Sequence, residues 1–254
     1  MMSRFLRDSS VMMGRAMRHI MRSPDTIITT AITPIAMMLL FLYVLGGAVD
    51  PGGRAAYVKY ILPGILLITI ASGISYTNLR LFTDRRSGIF ERFHSMPIAR
   101  SSVLWAHVLT ALVANAISLV IVVAVALLVG FRSGAGVVSW VGIAGILALF
   151  TVALSWIAVL AALAAKTAEG AGAFAYPLIF LPFLSSAMVP TKTMPGPLQA
   201  FANNQPVTPV VNSIRALINE QSVGSQAWLA AAWCVGVLVV AYLLSMVAYR
   251  RQIA

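Results

Sequence analysis

The chain has 254 residues, 60% of them hydrophobic and only 10% charged, with a mean hydropathy of +0.90. Soluble domains carry about 45–50% apolar and about 25% charged residues, which excludes a water-soluble enzyme or binding module, and with it disordered, collagen-like and disulfide-scaffold chains. Lys+Arg number 18 against 7 Asp+Glu, a net charge of +11; a nucleic-acid partner would need a soluble basic face, which this composition does not offer.

Residues 3–22 come first in the chain. Advanced at 100° per residue, Arg4, Arg7, Arg15, Arg18 and Arg22 fall within an arc of about 80°, while Phe5, Leu6, Met12, Met13, Met17, Ile20 and Met21 take the other side, Val11 alone breaking the pattern. A basic face with an apolar back predicts a helix lying in the cytoplasmic interface, its arginines at anionic headgroups. Ser9, Ser10 and Gly14 predict fraying around 9–14. The alternative is a solvated leader that merely obeys the positive-inside rule. The following apolar run is too long for a signal peptide, and no small-residue cleavage site follows it.

About 20 apolar residues cross the hydrocarbon core as a helix. Six charge-free stretches qualify: 24 residues between Asp25 and Asp50, 20 between Lys59 and Arg80, 31 between Arg100 and Arg132, 33 between Arg132 and Lys166, 22 between Glu169 and Lys192, and 29 between Glu220 and Arg250. The fifth contains Pro177 and Pro182 and is predicted to be interrupted. A seventh stretch, Thr193–Ile214, holds Pro195, Pro197, Pro206 and Pro209 with Asn203, Asn204, Gln205 and Asn212. Such a backbone satisfies itself in the membrane only where protein shelters it. It is predicted to be an external or re-entrant hairpin between spans five and six, with a short helix over Val210–Ile218. The fold class expected is all-α polytopic: residues 1–25 as an interfacial helix and 26–254 as a six-span transmembrane domain.

Lys and Arg collect on the cytoplasmic side. With both termini inside, the inner segments hold thirteen of these residues and the outer ones five, namely Arg54, Lys59, Arg132, Lys192 and Arg215. The chain is thereby predicted to be a multi-pass membrane protein with both termini cytoplasmic.

The loop after span two carries most chemistry. On a helix Ile89, Phe90, Phe93 and Met96 form one stripe about 120° wide, and Pro97 ends the helix. Two phenylalanines on a short cytoplasmic helix need a cover. Lipid headgroups and a groove on a soluble partner serve equally on composition alone.

Residues 84–101, Asp-Arg-Arg-Ser-Gly-Ile-Phe-Glu-Arg-Phe-His-Ser-Met-Pro-Ile-Ala-Arg-Ser, resemble the cytoplasmic loop of ABC-2 type transporter permeases, particularly the daunorubicin-resistance membrane-subunit group. Gly88, Glu91, Arg92, Phe93 and Pro97 stand at the family's positions. A second stretch agrees, from Leu181-Pro-Phe-Leu-Ser-Ser-Ala-Met-Val-Pro190 through Asn204-Gln-Pro-Val-Thr-Pro to Arg215. There Pro209 replaces the family's aromatic and Asn212 its acid.

The resemblance implies a half-transporter that pairs with a second permease, identical or related, and docks on two copies of a separate ATP-binding subunit. The cofactor would be Mg-ATP held on that subunit, with none in this chain. Residues 3–22 would be the connecting helix. Asp84, Arg85, Arg86, Gly88, Ile89, Phe90, Glu91, Arg92, Phe93, Met96 and Pro97 would form the ATPase-coupling helix, and Lys166 and Glu169 a second cytoplasmic contact. The implied function is export of a hydrophobic or amphipathic solute such as a drug or lipid.

The remaining residues fit a borrowed engine. No Gly-x-x-x-x-Gly-Lys-(Ser/Thr) run cradles phosphates, so the chain is not expected to be an enzyme. No His-Glu-x-x-His or Cys/His cluster provides for a catalytic metal, and Cys234 has no intrachain partner. Asn115 and Ser118 are read as interhelical glue or, less strongly, substrate contacts. Phe174, Tyr176, Phe180 and Phe183 are read as packing groups with the same secondary reading. Gly142, Ala144, Gly145 and Ala148 predict close helix packing. The rival is an ion- or proton-coupled secondary transporter, which ordinarily keeps an ionisable group deep in the membrane. The six apolar stretches contain no Asp, Glu, Lys or Arg, and His107, near the start of the third, is read as a satisfied bundle histidine rather than a proton relay.

Overall fold

A computed structural model describes residues 24–45, 53–87 and 100–251. Among them every regular element is helical. Helix α1 spans Pro24–Leu40 and continues as a π-turn over Phe41–Leu45. Three long helices follow: α2 (Arg54–Arg86), α3 (Arg100–Leu128) and α4 (Val137–Ala164). Short pieces come next, α5 (Ala168–Ala173), α6 (Tyr176–Phe180) and 3-10 turns at Leu181–Leu184 and Thr191–Thr193. Helices α7 (Gly196–Asn204), α8 (Val207–Ile218) and α9 (Gly224–Arg251) complete the chain.

Four of these helices are long and apolar enough to cross a membrane: α2, α3, α4 and α9. The apolar stretches expected as spans one and five take another form. Pro34 lies inside α1, where it removes a donor, and a π-turn follows it. The fifth stretch is broken as its prolines require. Pro177 opens α6 and Pro182 the next 3-10 turn, each where a preceding helix would need an N–H.

Burial separates the long helices by role. The most apolar windows of α2 and α4 are 72% and 67% buried, those of α3 and α9 only 28% and 22%. Helices α2 and α4 therefore form the axis. Helix α9 packs along α4, α3 lies against both, and α1 leans on α2 and α3. The outward residues of α9 (Trp228, Leu229, Val235, Val239, Val240, Leu243, Leu244 and Val247) are large and apolar, as lipid contact demands.

Two apolar cores result. One, around Ile61, Ile65, Leu66, Ile143, Phe150, Val210 and Ile214, seats α8 between α2 and α4. The other joins Leu81, Phe82, Leu104, Val108, Trp156 and Leu163 at the opposite end of the bundle. Trp156 is its keystone, meeting Trp105 and Tyr242 edge-on at ring separations of 5.2 and 4.8 Å.

The prolines of the 193–218 segment are placed where they cost least. Pro197 lies in the first turn of α7 and Pro209 third in α8, positions whose N–H groups have no intrahelical partner. Helix α8 starts at Val207, three residues earlier than expected, because Pro209 is compatible with a helix start. Helix α7 was not foreseen.

Small residues divide into two kinds. A Cβ on Gly64 would stand 2.7 Å from the Ala187 Cβ, so α2 and the 185–188 segment touch only because Gly64 has no side chain. Gly142 lets Leu217 of α8 approach α4, whereas Gly145 has open space beside it and Ala144 and Ala148 line a groove rather than a seam. Gly64→Val should therefore sharply lower thermal stability in detergent. Gly236→Ala, in open space on α9, should leave it equal or raise it by about 0.5–1 kcal/mol. Equal stability of both variants with wild type would refute the close packing at Gly64.

Candidate functional site

The residues Asp84-Arg85-Arg86 close α2 and all three turn to neighbouring elements. The Asp84 carboxylate lies 3.5 Å from His107 Nε2, so the end of α2 is tied to α3. Arg85 Nη1 donates to the carbonyls of Leu163 at 2.6 Å and Ala162 at 3.0 Å. Those are the last carbonyls of α4, which carry its negative dipole end and lack intrahelical donors. Arg86 Nη2 donates to the Lys166 carbonyl at 2.8 Å, and both guanidiniums lie within 6 Å of the Phe82 ring. About two turns earlier, Asn78 Nδ2 donates to Ala171 O at 2.6 Å. The last three turns of α2 thus hold α3, the end of α4 and the 165–171 turn in one unit.

That turn is presented outward. Thr167 caps α5 by accepting from Gly170 N, while the Lys166 and Glu169 side chains are exposed. Gly88, Ile89, Phe90, Glu91, Arg92, Phe93, Met96 and Pro97 lie outside the described residues, as do Arg4, Arg7, Arg15, Arg18 and Arg22. The chain enters the 88–99 segment from Ser87, whose Oγ donates to Asp84 O, and leaves it into α3.

Among the membrane candidates, Asn115 and Ser118 are buried between helices. Asn115 Nδ2 donates to Ala111 O within its own helix, and its Oδ1, without a hydrogen-bond partner, presses on Gly73 of α2. Both Gly73 and Asn115 set how closely α2 and α3 approach. Phe174, Tyr176 and Phe180 are exposed on the broken α5–α6 segment. Phe183 turns inward to contact Phe41 and Phe180, each at 6.2 Å between ring centroids.

The opposite end of the bundle holds a site that charge counting had entered only as an outer cation. Arg215 Nη2 donates to the carbonyls of Ser186 at 2.7 Å and Tyr60 at 3.1 Å, with Ala187 at 3.4 Å. Its guanidinium stacks 4.1 Å from the Tyr60 ring centroid. Nη1 reaches Asn212 Oδ1, which also accepts from Ser186 Oγ at 2.8 Å. Asn212 stands where the family resemblance leads one to expect an acid, so here a neutral amide faces the cation. Nearby, Gln205 Nε2 donates to Leu184 O at 2.6 Å, and Ser133 Oγ donates to Ile218 O at 2.9 Å. The one signal in the sequence was a lone arginine on the polar edge of an otherwise apolar short helix.

The helical bundle, its membrane-length helices and this order of segments agree with a family match over most of the chain: the ABC-2 type transporter family covers residues 8–219. The chain belongs to that family. It is 29% identical over 239 residues to the daunorubicin resistance ABC transporter permease protein DrrB1 of Streptomyces coeruleorubidus, covering 94% of this chain and 84% of the relative. It is 24% identical over 250 residues to the probable doxorubicin resistance ABC transporter permease protein DrrC of Mycobacterium tuberculosis, covering 97% and 90%. The protein is accordingly a multi-pass membrane permease of an ABC transporter, in a family whose members work with an ATP-binding subunit.

Arg215→Met removes the donor from three carbonyls at about 1 kcal/mol each, so the melting temperature in detergent should fall by on the order of 10 °C. Arg215→Lys should recover less than half of that, because an ammonium is a point donor without the planar fork or the stacking face. Full recovery by lysine would show that charge alone is needed there.

Proposed function

We propose that this permease exports a hydrophobic or amphipathic solute from the cytoplasm of a bacterial cell. In this reading it has six spans, with both termini inside and the 191–218 segment as a re-entrant cover on the outer side. Helix α1 and the broken α5–α6 segment are the two spans that fall short of regular length. Two permeases, identical or related, would pair, and two ATP-binding subunits holding Mg-ATP would dock beneath them. Two relatives named for daunorubicin and doxorubicin resistance support the solute class.

The observation that carries the coupling part is the Arg86–Lys166 hydrogen bond with its neighbour from Arg85 to the end of α4. These bonds bring the root of the 88–99 loop beside the exposed 166–170 turn, so two candidate docking elements share one platform. Asp84–His107 ties the same platform to α3, where the loop returns. A push on the loop would reach α2, α3 and α4 together. Phe90 and Phe93 are proposed to seat in a cleft of the ATP-binding subunit, with Glu91 and Arg92 setting register at the rim. Burying such side chains stabilises a contact by about 1.5–3 kcal/mol each.

The exposed Phe174, Tyr176 and Phe180 are proposed as part of the solute path, with Asn115 and Ser118 contributing through helix packing. Carrier-type transport is less well supported, since three cations at the span ends, Arg85, Arg86 and Arg215, are engaged in structural contacts.

Two measurements test the reading. The purified chain should hydrolyse no ATP until its ATP-binding subunit is added. Phe90→Ala with Phe93→Ala should leave membrane insertion intact, weaken co-purification of the ATPase and abolish export. A double variant that keeps wild-type stoichiometry and export would remove the coupling role from this helix.

A further inference from the structure

Between α2, α3 and α4 runs an apolar groove of about 430 Å³. Its walls include Leu66, Leu112, Leu119, Val123 and Leu147, its floor the small side chains of Ala116, Ala144 and Ala148. Thr151 supplies the one hydroxyl in the lining, and its proton is already donated to Leu147 O at 2.7 Å, so the walls are almost wholly hydrocarbon.

One end of the groove differs from the rest. Trp140 and Leu127 line it there, and Arg132 lies at that end, its Nη1 donating to the carbonyls of Leu127 and Phe131 at 2.8 Å each. Arg132 is exposed and makes no ion pair among the described residues, and neither Nη2 nor Nε donates a hydrogen bond there. An indole and a cation at the same end of two membrane-length helices mark the depth of the headgroups. The groove thus starts at headgroup level and descends between helices toward the bilayer centre.

We infer that this groove is a binding site for a membrane phospholipid with an anionic headgroup, one acyl chain lying along Ala116, Ala144 and Ala148 and the phosphate at Arg132. The choice of occupant follows from the two chemistries together. A cleft walled almost wholly by hydrocarbon suits a hydrocarbon chain. Moving that chain out of surrounding lipid yields no hydrophobic gain, because lipid tails are as apolar as leucine. Selectivity must come from the head, where Arg132 offers a charged, partly unspent fork. A basic side chain near a lipid surface is worth about 1 kcal/mol toward anionic lipid, or about fivefold. The site goes beyond the exporter reading and requires only that the chain sit in a bilayer.

The test uses the full chain reconstituted in phosphatidylcholine vesicles containing a trace of phosphatidylglycerol with a photoactivatable acyl chain, then peptide mapping after irradiation. Adducts should concentrate on residues 112–127 and 140–151, about fivefold above those from a phosphatidylcholine probe with the same chain. Arg132→Gln should bring the two probes level, Arg132→Lys should keep the preference, and Ala144→Phe should fill the groove and abolish both sets of adducts there. Labelling spread evenly over α3 and α9, equal labelling by both probes in wild type, or an unchanged preference in Arg132→Gln would overturn the inference. None of these readouts depends on ATP or on export, so failure here is distinct from failure of the transport reading.

Discussion

One end of this permease's helical bundle is organised by one guanidinium. Arg215 donates to carbonyls of α2 and of the 185–187 segment, stacks on Tyr60 and bonds Asn212 of its own helix. The segment it holds, 181–218, is irregular and rich in proline. Backbone of that kind has no place against hydrocarbon unless protein supplies its partners. Arg215, Gln205, Thr208 and Ser185 supply them, accepting or donating where the helices break. Hydrogen bonds from a charged group are among the stronger ones available, and they are spent here on closing one end of the bundle.

The other end is closed by the same device. Arg85 and Arg86 cap α4 and the turn after it, so each end of the α2–α4 axis is fixed by arginine on backbone carbonyl. Between these fixed ends the contacts are close and apolar, with Gly64 and Gly73 permitting near approach of α2 to its neighbours. Under the proposed coupling role, an axis held at both ends would carry a displacement from the 88–99 loop to the far end of the bundle.

Much of this was legible in the sequence. Charge-free runs located every long helix, because a membrane segment cannot carry charge cheaply, and Pro177 and Pro182 announced the break in the fifth stretch. The family emerged from the loop around Gly88 and Pro97 and from the Asn204–Arg215 segment. Tertiary partners were not legible. Periodicity places Arg85 at the end of a helix but cannot show that the last carbonyls of α4 lie beside it. Asp84 read as part of a basic loop, yet it faces His107, 23 positions on. Helix α7 was missed because Pro195, Pro197 and two asparagines resemble a loop, although Pro197 is tolerated in a first turn. The run Gly142–Ala148 suggested a tight seam, but a small side chain can equally leave a groove.

The proposed topology puts the two ends of the bundle on opposite sides of the membrane, the Arg215-held segment outside and the Arg85–Lys166 platform inside. Single cysteines at Asn203 and at Glu169, both exposed, in a Cys234→Ser background, measure this directly with a membrane-impermeant maleimide. The cysteine at 203 should label on intact cells and the one at 169 only after the membrane is opened. Labelling of position 169 on intact cells, or of both positions from the same side, would contradict the account.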